Sequence, residues 1–121
     1  VSRHAVLIFS PDALAVALLA GAVELAGYTP RFAKAGEPAR AALRRTRPDV
    51  TLIDCDHSEG CADSFIGPAL MTGSRVILFR SPQSRRDITE FAERLSLTVI
   101  DMPVDAERLR QLLDAWPRPE S

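Results

Sequence analysis

The sequence has little of what would staple, anchor or polarise a chain. Its 121 residues include two cysteines, Cys55 and Cys61, too few for a disulfide framework, so reduced thiols in a cytoplasmic setting are the expectation. The longest uncharged apolar run, residues 13–23, falls well short of the roughly 20 residues that span a bilayer. No basic segment, apolar core and small-residue cleavage site precede the first strand-like run, so no leader peptide is expected. Charge of one sign is lacking as well. Fifteen basic and sixteen acidic residues leave a net charge of −1, which gives no general electrostatic ground for holding nucleic acid or an anionic membrane. Neither G-x-G-x-x-G nor G-x-x-x-x-G-K-[ST] occurs, so no glycine-rich phosphate cradle is present. What is there is an ordinary globular composition, 46% hydrophobic and 26% charged, which suits one independently folding domain. Residues 1–116 are read as that domain. The proline-rich close, residues 117–121, is read as a linker stub or C-terminal tail, so the chain is expected to be a fragment of a longer protein or a single-domain one.

Strand-like and helix-like segments alternate. Residues 5–9 form a continuous apolar run, as in a strand buried on both faces, and a helix over 12–26 follows. Asp12 suits its N-cap and Gly27 its C-terminal stop. Residues 29–33 form a weaker strand. Pro30 within it has no N–H for a ladder, which places the strand at a sheet edge. A short helix over 37–47 is closed by Pro48, and a third buried strand over 50–53 ends at Asp54. Between residues 56 and 73 the pattern is broken by Gly60, Gly67, Gly73 and Pro68, which predicts a distorted helix. A fourth strand covers 76–79. The next helix is expected to open at Ser81 and Pro82 and to carry Ile88, Phe91, Ala92 and Leu95 on one face. A fifth strand over 97–100 and a last helix over 105–115, with Leu109, Leu112, Leu113 and Trp116 in helical spacing, complete a (βα)5 chain.

Parallel strands need crossovers, and these are right-handed, so the fold class is α/β: a doubly wound five-stranded parallel sheet of order 2-1-3-4-5 with helices on both faces, flavodoxin-like. In such sheets ligands and chemistry gather at the carboxyl ends of the strands. The residues at that rim are Ser10, Pro11, Asp12, Asp54, Cys55, Asp56, His57, Arg80, Ser81, Met102 and Pro103.

Three phrases carry a resemblance: Gly27 with Tyr28 after the first helix, Pro48-Asp49-Val50-Thr51-Leu52-Ile53-Asp54 at the third strand, and Met102 with Pro103 after the fifth. In their spacing, residues 4–116 resemble the receiver domains of two-component response regulators, the CheY-like superfamily. The resemblance implies a phosphorelay role with Asp54 at the phospho-acceptor position. It also implies an acidic pair that holds Mg²⁺ at Ser10 and Pro11, a hydroxyl residue at Arg80, a lysine at Met102 and an aromatic switch residue at Val99. None of these four companions is kept. Phosphoryl transfer to a carboxylate needs charge compensation by a metal and a protein cation. The expectation is therefore an atypical or pseudo-receiver, with Mg²⁺ relevant only if Asp54 is phosphorylated. Asp12 lies one position beyond the acidic pair and is read as a helix cap. Arg80 could pair with Asp54 and fill the space of metal and phosphate, or it could point to solvent.

Other constellations are weaker. Cys55, His57 and Cys61 offer too few ligands for a structural zinc, since His4 starts the first strand at the far end of the sheet. Ser10 or Cys55 with His57 is an isolated pairing rather than catalytic machinery, so the chain is not expected to be an enzyme. Arg40, Arg44, Arg45 and Arg47 read as a solvated helix face. The first helix is apolar all round, and Ala13, Ala17 and Gly21 form a small-residue row beside Leu18. A homodimer or a docked partner could cover that side, or its small side chains could simply face water.

Three functions follow. The first is a receiver-like signal-transduction module that acts on a signalling partner or a linked output domain through protein contacts, without Mg²⁺. The second is a working receiver that accepts phosphate on Asp54. The third is a small flavodoxin-like ligand-binding domain or enzyme.

Overall fold

The computed structural model describes residues 5–57, 62–82, 84, 87–102 and 105–115. His4, Gly60, Cys61, Pro103, Trp116 and the stub at 117–121, all singled out in the sequence, lie outside the described residues. The chain alternates strictly: β1 (Ala5–Phe9), α1 (Ala13–Leu25), β2 (Thr29–Phe32), α2 (Ala39–Thr46), β3 (Val50–Asp54), α3 (Asp63–Met71), β4 (Arg75–Arg80), α4 (Thr89–Leu95), β5 (Thr98–Asp101) and α5 (Ala106–Ala115). The five strands are parallel in the order β2-β1-β3-β4-β5. The strand containing Pro30 is therefore at an edge, where its missing N–H breaks no ladder.

Each face of the sheet has its own core. Leu7, Phe9, Ile53 and Leu78 point to one side, where α2, α3 and α4 cover them with Leu43, Phe65, Ile66 and Ala92. Val6, Ile8, Leu52, Ile77 and Phe79 point to the other, under Leu19 and Val23 of α1 and Leu109 and Leu113 of α5. Tyr28 joins this second face to α5, its hydroxyl donating to Asp114 Oδ1 at 2.8 Å. Central strands buried on both sides explain the unbroken apolar runs in the sequence.

Helix ends follow local chemistry. Asp12 is the N-cap of α1 and its Oδ1 accepts the Leu14 N–H at 3.0 Å. Gly27, just past the helix, has φ of 91°, a conformation that costs a residue with a Cβ. Pro48 disfavours helical geometry in Arg47, which accordingly leaves α2 in the left-handed region. Helix α3 runs through Pro68.

The start of α4 differs from the sequence expectation. Ser81 and Pro82 do not open the helix. Instead the Ser84 N–H bonds back to the Ser81 carbonyl, closing a turn, and α4 begins at Thr89, whose N–H is accepted by Asp87 Oδ1 at 3.0 Å. Ser-Pro fits the first positions of a turn as well as those of a helix, and the Asx contact of Asp87 decides where the helix begins. Helix α2 likewise starts at Ala39, leaving Glu37 free to accept the Lys34 N–H and a two-pronged contact from Arg45.

Candidate functional site

The carboxyl rim is organised around Asp54. It ends the central strand β3 and is 4% exposed. Register places its neighbours: Phe9 of β1 pairs with Ile53, so Ser10 comes next to Asp54, and Phe79 of β4 pairs with Asp54 itself. The Ser10 hydroxyl donates to Asp54 Oδ2 at 2.7 Å, and the Asp56 N–H donates to Oδ1 at 2.9 Å. Ser10 Oγ in turn accepts the Asp12 N–H at 3.0 Å. The hydroxyl thus links the buried carboxylate to the capped start of α1. Both oxygens of Asp54 are hydrogen-bonded by neutral donors, and none of the ion pairs among the described residues includes it.

The proposed pairing of Arg80 with Asp54 is not what the structure shows. Arg80 Nε donates to Asp101 Oδ1 at 2.8 Å. The reason is the pleat. Asp54 stands opposite Phe79, so Arg80, one residue further along, turns to the other face and meets Asp101, its register partner on β5. Nor does Arg80 simply point to solvent: its side chain is 38% exposed and held in this pair. The Arg80 hydrogen bond holds the Asp101 carboxyl below its usual range, and Asp101 raises the guanidinium in return.

Ser81, rather than Arg80, lies on the Asp54 side. It lines a cavity with Asp12, Asp54, Phe79, Pro82 and Met102. The Met102 N–H is held by the Arg80 carbonyl at 2.7 Å, and its side chain packs partly against the α1/α5 core. An apolar thioether therefore stands where the resembled family has its lysine. Pro11 and Asp12 are exposed, and of the two Asp12 lines the cavity.

On the other side of the β3 end a small polar chain forms that the sequence did not reveal. Ser84 Oγ lies 3.1 Å from Cys55 Sγ and donates to Asp56 Oδ1 at 3.0 Å. Cys55 is fully buried, and burial pushes its thiol pKa up, partly opposed by the Ser84 contact. His57 packs its ring against Phe9 at 5.3 Å between centroids. Asp54, Cys55 and Asp56 bring one potential ligand atom each within 4.8 Å of one another. Part of their acceptor capacity is taken, by Ser10 and the Asp56 N–H at Asp54 and by Ser84 at Asp56. A thiol held protonated is a poor ligand. Mg²⁺ asks for a near-octahedral oxygen set, and this donor set does not fit it: Asp12 is committed to its cap and Ser10 offers Asp54 a proton.

The interface candidates lie where the sequence puts them, on the outer side of α1. Ala13, Ala17 and Leu18 are exposed and Gly21 is half-buried. Leu14 and Leu25 share that side, at 66% and 79% exposure, with Leu18 at 56%. Among the described residues no helix is long and apolar enough to cross a membrane.

No protein-family model and no curated protein matches the sequence. Solved structures do match in three dimensions. A response regulator from Thermotoga maritima superposes with a TM-score of 0.72 at 15% identity, over 94% of this chain and 97% of that one. The signal receiver domain of a modulated diguanylate cyclase from Desulfovibrio desulfuricans gives 0.73 at 25% identity, over 94% and 93%. A putative pilus assembly-related protein from Burkholderia pseudomallei gives 0.67 at 24% identity, over 93% and 88%. The chain therefore has the fold of the response-regulator receiver domains, CheY-like and flavodoxin-like.

Proposed function

We propose that this chain of receiver-domain fold is a signal-transduction module that works by protein contacts and does not use Mg²⁺-dependent phosphorylation of Asp54. The observation that carries this reading is the Ser10 hydroxyl seated on Asp54 Oδ2, at the place where the family's acidic pair would hold a metal. A phosphoryl group arriving there would find Asp12 and Asp54 and no lysine or arginine among the described residues lining the cavity. The described lining residues supply no charge compensation, the main requirement of phosphoryl transfer. The module is not an enzyme on this reading. It belongs in the cytoplasm and passes its signal to a linked output domain or a separate signalling protein, with no role for nucleic acid or membrane.

The contact surface is the outer side of α1. Each exposed leucine there, only partly buried as it stands, forgoes a share of the roughly 1.5–3 kcal/mol that full burial supplies. Leu18, Gly21 and Leu25, with Met102 and Ala106 of the α5 side, line a shallow apolar groove. Leu14, Leu18 and Leu25 provide knobs and Ala13, Ala17 and Gly21 provide holes on one patch, so a two-fold pairing of two copies can fill both. The test of the phosphorylation reading is addition of beryllofluoride with Mg²⁺, followed by the amide resonances of Ser10, Asp54 and Ser81. Unchanged resonances are expected, and stoichiometric capture at Asp54 overturns the reading.

A further inference from the structure

The cavity beside Asp54 has a volume of about 220 Å³. Its walls are hydrocarbon and thioether: Leu14, Leu18, Phe79, Pro82 and Met102. At its base is one carboxylate, 4% exposed. That carboxylate has two neutral hydrogen bonds, from Ser10 and the Asp56 N–H. It therefore keeps about half of its roughly four acceptor sites. Its charge has no cationic partner among the described residues. Buried charges are ordinarily paired, because an unpaired one carries most of its desolvation cost uncompensated. Asp12 adds a second carboxylate at the mouth. An anion would be repelled, and a neutral apolar molecule would leave Asp54 as it is. A molecule with a cationic head and an apolar stem satisfies both halves of the site. The volume lies below the roughly 300–1,000 Å³ of pockets that take drug-sized ligands, which restricts the stem to a short alkyl chain such as hexyl.

We propose that this cavity is a binding site for a small primary ammonium compound, its charged head on Asp54 and its short apolar body against Leu14, Leu18 and Met102. The site rests on the reading that Asp54 is not a phospho-acceptor. It goes beyond that reading by giving the carboxylate an occupant. A ligand seated there lies beside Leu18, and so reaches the exposed side of α1.

The chain has two methionines, and they serve as probe and control. Met102 lines the cavity, while Met71 ends α3 on the opposite face at 89% exposure. With methionine methyls labelled with carbon-13, titration with n-hexylammonium should move the Met102 resonance saturably and leave Met71 in place. The isosteric alcohol, 1-hexanol, should bind at least about tenfold more weakly, a difference of about 1.4 kcal/mol, and hexanoate more weakly still. In Asp54→Asn the ammonium and the alcohol should come within about twofold of each other. Equal affinity for ammonium and alcohol in the wild type, or no saturable Met102 shift below about 10 mM, overturns the proposal without recourse to any variant. The beryllofluoride experiment separates the two claims. Capture at Asp54 overturns the functional reading, whereas no capture together with no ammonium preference overturns the binding site alone.

Discussion

The hydroxyl of Ser10 and the carboxylate of Asp54 meet at 2.7 Å across the ends of two neighbouring strands, β1 and β3. A hydroxyl at that position donates to one oxygen of the buried carboxylate without adding charge, where a second carboxylate would need a metal beside it. Ser10→Asp should therefore be destabilised without metal, by repulsion between adjacent like charges, and should regain stability as Mg²⁺ is added. At ten times its dissociation constant the ion would contribute about 1.4 kcal/mol. Thermal melts with and without Mg²⁺ read this directly. The wild type should show no such dependence, and equal Mg²⁺ responses in the two proteins would contradict the account.

Leu18 stands at the centre of the exposed side of α1, 56% exposed between Leu14 and Leu25. A single helix face is smaller than the roughly 800 Å² per partner of a standard interface. Self-association of the wild type should therefore be weak, with a dissociation constant roughly micromolar or higher. Sedimentation velocity across a concentration series should show it, and Leu18→Glu should remain monomeric throughout. A wild type that is monomeric at the highest concentration removes the dimer.

Thr51 and Ser74 are buried polar residues whose hydroxyls meet at 2.9 Å between β3 and the start of β4. Removing one leaves the other without its partner. Thr51→Val or Ser74→Ala alone should each cost about 1–3 kcal/mol in urea unfolding, and the double variant should cost less than the sum of the two. Strict additivity would mean that the contact contributes nothing.

Much of this fold is legible in the sequence because its signals are local. The position of Pro30 gives the edge strand, Asp12 and Gly27 mark the ends of α1, and the apolar runs of β1, β3 and β4 report burial on both faces. Asp54 and Ser10 also follow from local spacing, since each is the last residue of a strand or the one after it. The partner of Arg80 does not. It depends on the stagger of β3 against β4, which sets Asp54 opposite Phe79 and so sends Arg80 to the far face, toward Asp101. Ser84 is invisible for a related reason. Its contacts with Cys55 and Asp56 join segments far apart in the chain, and a lone serine in a loop carries no periodic mark. The Ser81-Pro82 pair misplaced the start of α4 because one dipeptide serves two local structures.

Glu37 makes a two-pronged contact with Arg45, and the Arg45 side chain also donates to the Phe32 carbonyl. The Arg45 hydrogen bonds, with the Lys34 N–H, lower the Glu37 pKa from 4.5 to about 2. The unfolded chain therefore takes up a proton near pH 4.5 while the folded chain resists until about 2. The contribution of this pair is complete above that window and is lost as the pH falls through it. The urea midpoints of wild type and Glu37→Gln should differ by a constant amount above roughly pH 5 and converge toward roughly pH 2. A difference that does not change with pH would contradict the ion-pair origin.

The most direct measurement is the amide spectrum of the wild type in Mg²⁺ before and after beryllofluoride. The account predicts that the resonances of Ser10, Asp54, Ser81 and Met102 stay where they are. A new set of resonances at one equivalent, absent from Asp54→Asn, would show that the carboxylate accepts a phosphoryl mimic and would contradict the account.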